Sequence, residues 1–350
     1  MARERREVLR AAGVTGCVAL AGCVSGFDEA GRDPDVNVGV VYASGGLGDN
    51  SFNDMAQQGA MRAEEEFDVL FDQAEPESEG EFDGTQRNFA ESGRYDLICC
   101  IGYAQEGALA ENAAAYTDQE FIIVDSVVEA PNVRSYVFDE PGGSFQAGHL
   151  AGLLTQTEFS AGDGSTNPDE SVVGFVGGTE TPLIESFHAG FAAGVEYVDP
   201  DIELLSSYVG EFNDTAAGQE TARLMYDRGA DVVFHAAGRT GIGVFQAAQS
   251  EGRFAIGVDD DQSVSEDDYA DVIVASMVKQ VDRAVFTAIE SAVEGTFEGG
   301  EVEELGLEDD GVDVVYGQSL GDEIPEEIRA ELADSREKLI DGEIDVPGEL

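Results

Sequence analysis

Short apolar runs rich in valine and isoleucine recur along the chain. They are VNVGVVYA (36–43), YDLICCIG (95–102), EFIIVDS (120–126), VRSYVFD (133–139), SVVGFVGG (171–178), IELLSSYVG (202–210), ADVVFHAAG (230–238), FAIGVDD (254–260) and DVIVASM (271–277). Most are continuous rather than alternating, the pattern of strands covered on both faces, as in parallel sheets. Segments of helical character fall between them: 53–67, 86–92, 107–116, 144–155, 182–198, 216–228, 241–251 and 279–294. Pro182 suits a first helical turn, and Asn213 or Asp214 is placed to cap the sixth helix. Residues 156–170 and FEGGEVEELGLEDDG (297–311) read as surface loops, and Lys338 falls in a charged terminal helix.

Nine such strands exceed what one compact sheet of this kind usually holds. The expected fold class is therefore α/β, with two doubly wound parallel-sheet lobes. In such sheets ligands bind beyond the carboxyl ends of the strands. The polar strand ends here are 44–53, Asp125, GGTETP (177–182), AAGRTG (236–241), Asp259 and 276–279, and the fold would bring them to one cleft.

Charge narrows the partners. The 350 residues carry 73 acidic side chains against 18 Lys and Arg, a net charge of −55. Such a surface repels nucleic acid and anionic lipid headgroups. The only lysines are Lys279 and Lys338, and an acidic, lysine-poor composition looks like that of an extreme halophile.

The N-terminus reads as an address. Arg5 and Arg6 precede an apolar stretch, 11–20, and LAGC ends at Cys23. A twin-arginine start, a short apolar region and a small-residue cleavage site describe an export signal over residues 1–22. The apolar part is too short to span a bilayer. LAGC resembles a lipobox in which Cys23 becomes the lipidated first residue, with 23–35 as a tether. Removing 1–22 takes four arginines and two glutamates, and leaves −57. Cys99 and Cys100 are adjacent, so on a strand they point to opposite faces and read as two small buried hydrophobes.

GVVYASGGLGDNSFND, FIIVDS, VGGTETPLIESFHAGFAAGV, DVVFHAAGRTGIGVFQAA, AIGVDDDQ and VIVASMVKQVD, in that order, resemble the basic membrane protein family. Its members are purine nucleoside-binding lipoproteins that serve ABC transporters. The resemblance covers about residues 36–300. Arg239 departs from it, since the family usually has glycine there, and the chain has no tryptophan for base stacking. The resemblance implies a type I periplasmic-binding-protein fold, two lobes joined by three crossovers. Lobe one would take 36–139 plus 262–298, and lobe two 140–261 plus 299–350. It further implies a protein anchored through lipid at the extracellular face of the membrane, with a permease as partner and no cofactor.

In GGLGDNSFND (45–54) the glycines free the backbone for close approach to a ligand. Asp49 and Asn53 offer acceptors and donors, and Phe52 a flat apolar face, which together suit a purine and its ribose. A polar turn with a core phenylalanine is the plainer reading of the same residues. Asp125 and Asp259 each end an apolar strand, where a carboxylate is costly unless paired; the resemblance implies that Asp125 faces the ligand, a cap for the next element being the plainer reading, and Asp259 is expected to accept from the ribose hydroxyls. Lys279 follows a strand in a chain that almost avoids lysine, and its ammonium can reach ligand oxygens or balance cleft acids. Phe187 is the expected second aromatic plate. Phe191, one turn on, is either a further plate or core. Gly238 would let backbone amides approach the ligand, while Arg239 points at either the cleft or solvent.

Other functions compete with capture. DDDQSVSEDD lacks EF-hand spacing, so no metal site is expected. No P-loop, G-x-G-x-x-G fingerprint or G-x-S-x-G elbow occurs, which disfavours an enzyme. A nucleoside hydrolase, a sugar binder and a ligand sensor on the same scaffold remain as alternatives.

Overall fold

The computed structural model describes residues 34–349, so the export signal, Cys23 and nearly all of the tether lie outside the described residues. In chain order the elements are β1 (Val36–Val41), α1 (Phe52–Glu66), β2 (Val69–Ala74), α2 (Phe82–Ser92), β3 (Leu97–Ile101), α3 (Glu106–Ala115), β4 (Glu120–Val124) and β5 (Val133–Phe138). There follow α4 (Glu140–Thr155), β6 (Ser160–Ala161), β7 (Gly164–Ser165), β8 (Val172–Gly177), α5 (Pro182–Val198), β9 (Glu203–Tyr208), α6 (Thr215–Tyr226), β10 (Ala230–Ala236), α7 (Ile242–Glu251) and β11 (Phe254–Asp259). The chain ends with α8 (Gln262–Ser265), β12 (Ile273–Lys279), α9 (Val281–Glu294), β13 (Val302–Leu305), β14 (Val312–Tyr316) and α10 (Glu326–Ile340).

Two six-stranded sheets result, with strand orders β13-β5-β4-β3-β1-β2 and β14-β12-β11-β10-β8-β9. Every pairing in the first sheet is parallel. In the second sheet only β14 runs antiparallel, against β12. Helices cover both faces, and the near-continuous burial of β3, β8, β10, β11 and β12 follows from that. Cys99 and Cys100 are buried in separate apolar clusters on opposite faces of the first sheet. Asp214 caps α6 by accepting from the Ala217 N–H at 2.9 Å, and Pro182 opens α5.

The chain passes between lobes three times: β5 to α4, β12 to α9 and β13 to β14. This corrects the expected partition. Residues 262–279 belong to the second lobe, because β12 pairs with β11 and β14. The first lobe regains the chain only with α9, which packs on α1, β1, β3 and β4. Residues 302–305 then join its sheet beside β5 rather than the second lobe. The length and polarity of an apolar run do not state which of two sheets it completes.

Three further differences have local causes. β2 is absent from the expected strands because Asp72 and Gln73 interrupt its apolar pattern, as an edge strand tolerates. The loop expected at 297–311 contains β13, a mostly exposed edge strand carrying Glu303 and Glu304. Helix α4 begins four residues earlier than expected, because Asp139 caps it by accepting from the Gly142 N–H at 2.9 Å.

Candidate functional site

A cavity of about 550 Å³ lies between the lobes, lined from both sides by segments that follow strand C-termini. Its size is that of a small-molecule site. The loop after β1 supplies Asp49, the start of α1 supplies Phe52 and Asn53, β4 leads to Asp125, and α5 supplies Phe187. Gly238 follows β10, and β11 and β12 end on Asp259 and Lys279. Eight of the nine residues expected to bind ligand thus share one cavity.

Phe191 is the exception. It is fully buried, with its ring centroid 5.3 Å from that of Phe234 and 6.2 Å from that of Phe175. One helical turn carries it from the cleft into the core between α5 and the second sheet, so it is a core residue and no ligand plate.

The 45–54 loop is held by its own side chains. Asp49 accepts from the backbone N–H groups of Ser51, Asn53 and Asp54 at 3.0–3.2 Å, so it caps α1. Asn53 accepts from the Ala43 N–H at 2.9 Å and donates to the Gly46 carbonyl and to Asp49, both at 3.1 Å. Burial pushes Asp49 up to about 6, against the pull of the Asn53 N–H. These bonds orient Phe52, the first residue of α1, toward the cavity. The loop also closes on the other lobe: the Ser51 hydroxyl donates to Asp259 at 2.5 Å, and Gln262 donates to the Asn50 carbonyl at 3.0 Å.

Asp125 and Asp259 occupy equivalent places. Asp125 directly follows β4 and Asp259 ends β11, strands that hold the same place in the matching sheet orders β2-β1-β3-β4 and β9-β8-β10-β11. Both adopt left-handed backbone, with φ of 66° and 65°. That conformation is uncommon outside glycine, though aspartate tolerates it better than most, and it clusters at binding sites.

Lys279 lies at the cavity floor and is almost completely buried. Its ammonium donates to both Asp125 oxygens, at 2.8 and 2.7 Å, and to Glu140 at 3.3 Å. The rings of Phe138, Phe52 and Phe187 surround it, with centroids 5.0, 5.1 and 5.5 Å away. Burial pulls its pKa down, but Asp125, Glu140 and Asp259 more than reverse that, so it stays charged. Burial lifts Glu140 to about 7, with Lys279 opposing. Lys279 is the last residue of β12 and not the first of the following helix, which starts at Val281.

Sequence reasoning missed Glu140 and several lining groups. Phe212, Tyr103, Leu183 and Ile184 add apolar and aromatic wall. Glu140 stood in an apparent linker before Pro-Gly-Gly, where an acid reads as solvated. Gly238 has φ of 52°, and a side chain there would be strained. Arg239 is exposed at the cavity rim.

A family profile described as "ABC transporter substrate-binding protein PnrA-like" matches residues 36–349. The chain is 33% identical to an uncharacterized lipoprotein of Pyrococcus furiosus, over 93% of this chain and 84% of that protein. It is 29% identical to the ABC transporter nucleoside-binding protein BmpA of Lactococcus lactis, over 99% of each chain. Among solved structures, a solute-binding protein of an ABC transporter system from Aeropyrum pernix superposes with a TM-score of 0.79 at 28% identity, covering 89% of this chain and 94% of that one.

Proposed function

We infer the function from one premise: this chain belongs to the family of PnrA-like ABC transporter substrate-binding proteins. It is a two-lobed solute-binding protein whose family works with a transporter permease. We propose that its solute is a nucleoside, a purine nucleoside in particular, and that the protein captures it without chemistry. The observation that carries this reading is the floor of the cleft. Phe52 and Phe187 approach the same ammonium to 5.1 and 5.5 Å, and Asp125 and Asp259 lie beside them. A small volume thus offers flat apolar faces for a base and carboxylates that accept from a diol. The nucleoside-binding relative supports the same ligand class.

The test is calorimetry on the folded chain in high salt, with guanosine, inosine, adenosine and free ribose. A purine nucleoside binds, ribose binds far more weakly, and Phe52→Ala costs roughly 1–3 kcal/mol of nucleoside affinity, as base–aromatic stacking does elsewhere. Ribose binding as tightly as the nucleoside would make the protein a sugar binder on this scaffold.

We further propose that Cys23 carries the lipid anchor, which holds the protein at the outer face of the membrane. The motif is Arg5-Arg6 followed by LAGC, and the lipoprotein relative supports it. Cys23→Ser then releases the protein to the medium or leaves uncleaved precursor in cell fractions. Undiminished membrane retention of that variant would remove the anchor from Cys23.

A further inference from the structure

We propose that Glu140 is a positioning residue for ligand capture, sharing the Lys279 ammonium with Asp125 so that Asp125 keeps the negative charge with which it accepts from the ligand. The inference rests on the nucleoside reading above. An ammonium has three N–H groups. In this structure all three are spoken for: two on Asp125 and one on Glu140, at 2.8, 2.7 and 3.3 Å. A ligand oxygen that accepts from Lys279 must therefore displace one of these bonds, whereas a ligand hydroxyl can donate to Asp125 through the lone pairs that Lys279 leaves, in competition with the ammonium for the same negative charge. The paired bonds to Asp125 are the ones exposed to the cavity, because Asp125 and Lys279 line it. Glu140 is buried, does not line the cavity, and holds the remaining N–H of Lys279.

The location gives the contact a second consequence. Glu140 opens α4 directly after the first crossover, and Lys279 closes β12 directly before the second. Asp125 belongs to the first lobe and Lys279 to the second, so their bond spans the cleft. Without Glu140 the ammonium has one close carboxylate partner left and settles onto Asp125. A diol donating to Asp125 then meets a carboxylate more fully neutralised by its ammonium and is held more weakly. Glu140 thereby keeps the acid available and the lysine in place, without touching the ligand.

The experiment compares wild type, Glu140→Gln and Glu140→Asp by calorimetry with guanosine and with 2′,3′-dideoxyguanosine, which lacks the diol. Melting in the same salt without ligand checks each fold. Glu140→Gln weakens guanosine about tenfold and dideoxyguanosine less than about twofold, a coupling of the size seen between groups in one network. Glu140→Asp keeps the charge and recovers part of the loss; if Glu140→Gln does not fold, Glu140→Asp carries the comparison, with a smaller loss confined to guanosine. Equal losses for both ligands would make Glu140 merely structural, and unchanged affinities would leave it without a role; either overturns the proposal while the nucleoside reading stands. A wild-type chain that binds no nucleoside overturns that reading, and this inference with it.

Discussion

Buried titratable side chains set opposing pH responses. A carboxyl whose pKa is raised by folding binds its proton more tightly in the native state. Glu140, lifted by burial to about 7, and Asp49, lifted to about 6, therefore add stability as pH falls toward their ordinary values of 4.5 and 3.8. Burial does the reverse to His149 and His235, pushing each down to about 4. The unfolded chain takes up their protons below about 6.5 and the native chain refuses them, so stability is lost as pH falls from 6.5 toward 4. His149 lies 2.8 Å from the Ser335 hydroxyl, where α10 docks on α4. His149→Gln should therefore lose less melting temperature than wild type over that interval. A pH profile parallel to the wild type's would show that His149 contributes none of the acid loss. At this scale the sequence was legible where a residue type was out of place: an acid ending an apolar strand, or a lysine in a chain that nearly avoids it. It was silent on Glu140, because one glutamate among 73 acidic residues carries no mark until the fold buries it beside Lys279.

Elements were legible by the same rule. β1, β3, β4, β8, β10, β11 and β12 are continuous apolar runs, and each was readable because both faces are covered. β2 and β13 were not, since edge strands keep polar residues on a face that sees water. The pairing of α4 with α5 shows what spacing withholds. Both helices are largely buried, and glycines let them touch backbone to backbone: a Cβ on Gly194 would sit 2.1 Å from the Phe145 carbonyl oxygen, and one on Gly148 2.1 Å from that of Phe191. That contact also explains Phe187 and Phe191. Two phenylalanines one turn apart look alike in sequence, but the close helix pair turns the first to the cleft and the second to the core.

For the molecule as a whole, the net charge of −55 is the dominant fact. Arginine pairs such as Arg62–Asp282, Arg223–Asp227 and Arg336–Asp310 neutralise a few carboxylates, but 73 acidic residues against 18 Lys and Arg leave most with no cation to match. Self-repulsion on that scale reaches about 10 Å at 0.1 M salt and about 3 Å at 1 M. Circular dichroism through a dilution series should show the fold melting out as salt is withdrawn; an unchanged melting temperature down to about 0.1 M would mean that repulsion does not govern stability. Apolar period and polar strand termini are local properties, so the α/β class, the two lobes, the cleft at the strand ends and eight of its lining residues were readable along the chain. Packing between elements settled that β12 stays with the second sheet, that β13 returns to the first, that Phe191 is core, and that Glu140 shares Lys279 with Asp125. Those facts depend on which surfaces meet once the chain has folded: Lys279 meets Glu140 across 139 residues, β13 finds β5 only after two crossovers, and no local pattern encodes which sheet a strand or a helix face will join.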